Sequence, residues 1–164
     1  MNESPRTISR RSVTRAAAWS VPAVAVVAAA PAFAASGTTD IGAFTLNGSC
    51  GTLGVLGPGF TLTAGPAAVP AGTTVLVNGT GVANIGVWSV SGGTASVAVL
   101  SGTSRLITLT SALPPAATMA FRTTLSITVA FTLNATVTLP TGYVGTGGKP
   151  AGSVTSTLVL CTTT

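Results

Sequence analysis

Thr123 to Leu139 alternates apolar and polar side chains almost without fault. Leu125, Ile127, Val129, Phe131, Leu133, Ala135, Val137 and Leu139 take the odd positions, and only Ala130 interrupts the Thr, Ser and Asn residues on the even ones. A period of two predicts a β-strand with one buried face. Fully extended, the stretch would reach roughly 56 Å at ~3.3 Å per residue, well beyond a usual strand. A bend, bulge or turn that preserves parity is therefore expected within it.

The rest of the chain after residue 40 reads the same way in shorter pieces. Ile41 to Leu46, Phe60 to Thr63, Thr73 to Val77, Val87 to Val90, Ala95 to Leu100 and Leu106 to Thr110 are rich in strand-forming residues. Gly and Pro clusters such as Gly57-Pro58-Gly59, Pro70-Ala71-Gly72, Gly92-Gly93 and Pro114-Pro115 separate them. Asn78-Gly79 reads as a tight turn. Ser153 to Cys161 is the last expected strand, with Val154, Leu158 and Leu160 on one side and Thr155 and Thr157 on the other. No helical periodicity follows residue 34, and Ala112 to Ala120 is broken by prolines. The pattern predicts an all-β fold: one antiparallel β-sandwich of immunoglobulin-like architecture over residues 41–164, with Trp88 in its core. The Cys, Trp, Cys spacing of an antibody domain is missing, because Cys161 comes only at the end of the last strand.

Residues 1–34 have a different character. Arg6, Arg10, Arg11 and Arg15 face one acid, Glu3; Ala16 to Ala30 is small and apolar; and Ala32-Phe33-Ala34 is a small-x-small cleavage site, placing the cut between Ala34 and Ala35. The apolar core is shorter than the ~20 residues needed to span a bilayer, and Pro31 follows it, so a cleaved export signal is expected rather than a retained anchor. No stable transmembrane helix is expected after cleavage. Residues 35–40 read as a flexible leader containing Asp40.

Cleavage changes the charge argument. The whole chain has a net charge of +5, but residues 35–164 carry only Arg105, Arg122 and Lys149 against Asp40, or 3 − 1 = +2. Three scattered cations form no basic stripe, which excludes nucleic acid as a partner. The chain is nevertheless 46% hydrophobic with a mean hydropathy of +0.67, so it has the composition of a folded protein. Its surface must rely on Thr, Ser, Asn and Gly, and a nearly neutral surface of that kind favours association, including oligomers.

Candidate chemistry is sparse. Two cysteines in an exported chain have one possible pairing, Cys50 with Cys161, and no Cys-x-x-Cys motif points to redox exchange. The chain has no histidine, so Ser-His-Asp and Cys-His arrangements are impossible, and Asp40 has no second carboxylate in the mature chain to share acid and base work. No catalytic residue, metal site or cofactor site is expected. Leu139-Pro140-Thr141-Gly142 lacks the spacing of a sortase signal, and the Thr-x-Thr pairs lack a regular solenoid repeat.

Ser9-Arg10-Arg11-Ser12-Val13-Thr14-Arg15 resembles a twin-arginine export motif, with Val13 and Thr14 departing from the usual Phe and Leu. With the Ala/Val-rich core and the Thr/Gly/Val-rich remainder, the chain resembles small exported proteins of high-GC Gram-positive bacteria, a group without assigned activity. The resemblance implies location: secreted or associated with the cell envelope. The leading expectation is a non-catalytic structural, adhesion or binding module whose partner is a protein or another envelope component. One alternative is an oligomeric envelope pore, to which Thr123 to Leu139 would contribute a hairpin. Another is a secreted inhibitor or small-ligand carrier.

Overall fold

The computed structural model describes residues 37–52, 56–126, 128–158 and 160–164. The export signal, with Arg10, Arg11, Ala34 and Ala35, lies outside the described residues. The described part is all-β, with strands β1 (Thr39–Asp40), β2 (Thr45–Ser49), β3 (Gly59–Thr63), β4 (Thr74–Thr80), β5 (Trp88–Ser91), β6 (Ala95–Ser101), β7 (Ser104–Leu109), β8 (Thr118–Thr123), β9 (Phe131–Thr138), β10 (Tyr143–Val144), β11 (Ala151–Ser156) and β12 (Cys161–Thr163). Two antiparallel sheets pack face to face, one ordered β12-β11-β9-β4-β7-β6 and the other β2-β3-β8-β5. The short pair β1-β10 is parallel.

Alternation explains the packing. In β9, Phe131, Leu133, Ala135 and Val137 are buried, while Asn134, Thr136 and Thr138 face solvent. They meet Leu46, Phe60, Leu62, Met119 and Phe121 from the other sheet, and each such large side chain contributes roughly 1.5–3 kcal/mol on burial. Trp88 is buried as expected and stacks on Phe60 with ring centroids 6.3 Å apart. Its Nε1 has no acceptor, which costs about 1–3 kcal/mol and is outweighed by the buried rings.

One side of the sandwich is sealed and the other is open. Gly48 donates its amide to the Thr164 carbonyl (3.0 Å), and Leu46 donates to Lys149 (2.8 Å), so β2 leans onto the opposite sheet. That approach requires glycine at position 48, where a Cβ would sit 2.0 Å from the Ser153 carbonyl oxygen. The free edges, β5 and β6, lie on the opposite side.

One expectation holds, the break within the long alternating run, and three need correction. The Thr123 to Leu139 run divides: β8 ends at Thr123 in one sheet and β9 begins at Phe131 in the other, leaving Val129 exposed in the connection. The parity of the run survives into β9, as a compensating turn requires. Ser153 to Cys161 is likewise not one strand. Leu158 adopts a left-handed φ of 75° and Thr157 donates to Leu160 (2.9 Å), folding β11 back onto β12 and leaving Leu158 and Leu160 in solvent.

Asn78-Gly79 is no turn but lies within β4, where Gly79 makes room for Ile85: a Cβ there would come within 2.2 Å of Ile85 Cγ2. Tertiary packing has overridden the local signal. Asp40, expected in a flexible leader, instead belongs to β1, because its carboxylate accepts from the Gly42 (2.8 Å) and Thr146 (3.0 Å) amides.

Candidate functional site

The loops gather at two ends of the sandwich. At one end lie the β2–β3, β4–β5, β6–β7, β8–β9 and β11–β12 connections; at the other lie β3–β4, β5–β6, β7–β8 and the long segment from β9 to β11. The first end contains the Cys50–Cys161 disulfide, whose Cα atoms are 5.9 Å apart, and is called the disulfide end below. The bond joins the residue after β2 to the first residue of β12, stapling the edges of the two sheets across a separation of 111 residues. A closed loop of that length reduces the freedom of the unfolded chain by on the order of 4.7 kcal/mol.

Arg105 organises the same end. It occupies an inward position of β7, in phase with Ile107 and Leu109, and is 5% exposed. At the end of the strand its guanidinium finds no carboxylate. Nη1 donates to the carbonyls of Ser104 (2.9 Å), Gly102 (3.4 Å) and Ser101, and Nη2 donates to the Gly86 carbonyl (3.0 Å) and Asn84 Oδ1 (3.1 Å). Carbonyl dipoles thus stand in for a counter-ion, a role suited to the fixed fork of arginine donors. The result is a clamp between the β4–β5 loop and the β6–β7 turn.

The β4–β5 loop is tied further. Ile85 is fully buried and donates its amide to Gly102 (2.9 Å); the Thr123 hydroxyl donates to the Ile85 carbonyl; and Thr124 Oγ1 accepts from Val87 (3.2 Å). These bonds hold Val87 outward. The same end exposes Leu56, Val99, Leu100, Val129, Leu158 and Leu160. A shallow depression of about 310 Å³ opens among Thr80, Ala130, Phe131, Thr132, Thr155 and Thr157, uncharged and more apolar than polar.

The outer face of the six-stranded sheet is also neutral. Ser104 donates to Asn78 (2.8 Å), and the hydroxyl pairs Thr132–Thr155 (3.3 Å) and Ser153–Thr164 (2.9 Å) link neighbouring strands. On the smaller sheet, Arg122 points outward and donates weakly to the Ser49 carbonyl (3.5 Å), and partial burial lowers its pKa. Lys149 donates to Asn47 Oδ1 (2.9 Å). Hydrogen bonds from Thr146, side chain and then backbone, and from the Gly42 amide hold the Asp40 carboxyl below its ordinary value.

Among the described residues there is no cluster of three metal-ligating side chains, and no helix is long and apolar enough to cross a membrane. Of the residues singled out by sequence, the structure brings Cys50 and Cys161 together and keeps Asp40 and Lys149 at the end opposite Arg105. Sequence reasoning missed Arg105 as an organising residue. Its parity with Ile107 and Leu109 was the available signal. No protein family model, no curated protein and no solved structure matches the chain.

Proposed function

We propose that this protein is a secreted or envelope-associated, non-catalytic β-sandwich that serves as a structural, adhesion or binding module. The observation that carries the reading is how its few reactive side chains are used. Both cysteines are bonded to each other, Arg105 is bound up in loop carbonyls, and Asp40 accepts two amides of its own end. Apart from Asp40, Lys149 and the half-buried Arg122, what reaches solvent is neutral: rows of Thr, Ser and Asn on the sheets and apolar side chains on the loops. Such a surface suits association better than acid–base or nucleophilic chemistry.

The disulfide supports export, because such bonds persist in oxidising compartments, and residues 1–34 have the layout of a cleaved signal of twin-arginine type. The immunoglobulin-like description applies to the two packed antiparallel sheets. It does not extend to the disulfide, which here joins edge positions rather than central strands. Fractionation of expressing cells tests the reading. An exported mature chain with an envelope-bound pool is expected; a chain confined to the cytoplasm would overturn the export, and one present only as a freely diffusing monomer would overturn the structural, adhesion or binding role.

A further inference from the structure

Ten large apolar residues are exposed among the described residues. Leu76 lies on a sheet face, Tyr143 and Val144 lie at the end opposite the disulfide, and the remaining seven all lie at the disulfide end. Five come from connections, Leu56 from β2–β3, Val87 from β4–β5, Val129 from β8–β9, and Leu158 and Leu160 from β11–β12, while Val99 and Leu100 lie near the end of edge strand β6. We propose that this end is a membrane-docking tip, whose leucines and valines dip into the apolar margin of an anionic lipid bilayer. The proposal rests on the envelope-associated reading above and names the surface through which the association is made.

Three observations converge on it. First, the exposure is enforced rather than incidental. Val87 is 73% exposed although its loop is anchored on both sides by Ile85 and Thr124, and the disulfide begins β12 immediately after Leu160. Apolar groups fixed outward lose little freedom on docking.

Second, Leu158 is 58% exposed at a φ of 75°, a left-handed conformation that glycine or asparagine adopts with less strain. A bulky residue kept in a strained conformation and turned to water points to a use for its side chain outside the fold. Third, charge favours lipid. Asp40, the only side-chain carboxylate of residues 37–164, is at the opposite end, while Arg122 sits near this one with its guanidinium half-buried at the rim. Lipid phosphates therefore meet a cation and no acid. Apolar tips on separate loops, with Gly, Ser and Thr between them, suit a fluid partner more than a flat protein surface.

Vesicle flotation tests this with the exported protein, its disulfide intact and its N-terminus read by mass so that no apolar leader contributes. The probe is vesicles of phosphatidylglycerol and phosphatidylcholine. Wild-type protein is expected to float, and the pair Leu158→Ser with Leu160→Ser should lower partitioning at least roughly tenfold, since each leucine brings several methylene equivalents to the lipid. Tyr143→Ser, at the other end, should leave it unchanged.

Leu158→Gly separates binding from folding. Relief of the backbone should leave the melting midpoint equal or higher while flotation falls several-fold. Wild-type protein that does not float, or flotation indifferent to the leucine pair, overturns the proposal. So does a lipid-free oligomer that the pair dissolves while no flotation is seen, because the tip would then seat a second copy. If the envelope-bound pool persists without flotation, the tip proposal falls while the broader reading stands.

Discussion

The two ends of the sandwich solve the same problem in opposite ways. Away from the disulfide, the connections carry Pro66, Pro70, Pro114, Pro115, Pro140 and Pro150, and most of their large apolar residues turn inward, Tyr143 and Val144 excepted. Val69 and Leu113 exchange amide–carbonyl bonds (3.0 and 2.9 Å) and are buried, as are Ile41 and Phe44. There the loops hold themselves down by apolar contact and by proline's restricted φ. At the disulfide end, among the described residues, Ile85 is the one fully buried loop residue that plugs the core, with Val82 and Leu125 partly buried beside it, and a cross-link, an arginine clamp and two threonine hydroxyls do the holding. Polar and covalent anchors release apolar side chains from packing duty. That is why this end can expose leucines and valines and remain folded.

The largest effect should come from breaking the staple. Cys50→Ser with Cys161→Ser is expected to lower unfolding stability by on the order of 4 to 5 kcal/mol, read from urea titration without reductant. Hydrogen exchange should localise the first loss of protection to the disulfide end. A change below about 1 kcal/mol would mean that β2 and β12 are held together by Gly48–Thr164 and its neighbours alone.

Next comes a matched pair of leucines. Leu113→Ala removes a fully packed side chain from the proline end and should cost about 3 kcal/mol, whereas Leu160→Ala at the disulfide end should stay within about 0.5 kcal/mol. Equal costs would erase the contrast between apolar residues that hold loops and apolar residues that loops hold out.

Arg105→Lys sharpens the same contrast. An ammonium group has no planar fork to span the carbonyls of Ser104 and Gly86 together with Asn84, so a loss of about 2 kcal/mol is expected. Exchange protection at the Ile85 amide should fall with it, while Val69 and Leu113 stay protected. Full retention by lysine would reduce Arg105 to a space-filling stem.

The sequence made the sheets legible and the ends largely illegible, for a physical reason. Alternation reports which side of a strand meets the core, so the buried row of β9, the position of Trp88 and the short strands between Gly and Pro clusters were all readable. The cysteine pairing followed from there being two. Loops have no period, and hydrophobicity alone does not say whether Leu113 or Leu160 will be inside. Leu158 and Leu160 look like the continuation of a strand face until the left-handed residue turns the chain. Asn78-Gly79 looks like a hairpin because its turn preference is local, while the methyl group of Ile85 that needs its space is brought in by the fold. Arg105 reads as a scattered cation because nothing in its neighbours announces the carbonyls waiting at the end of β7.

Acid offers the gentlest test, because it touches one end alone. With no histidine in the chain, stability should be flat between about pH 5 and 8. Asp40 is held below its ordinary value of 3.8 in the folded state by Thr146 and Gly42, so its contribution is fully present above that value. It is lost as the pH falls through the lower, folded value, where protonation removes the charge that accepts those bonds. Because the carboxylate is exposed, the thermal midpoint should drop only slightly, and Asp40→Asn should flatten that part of the acid limb. Hydrogen exchange gives the sharper reading: as the pH falls through that lower, folded value the Gly42 and Thr146 amides should lose protection while Ile85 and Thr124, at the disulfide end, keep theirs. Loss at both ends together would show that the ends are not independent, and that the clamp at Arg105 draws on the packing of the proline end.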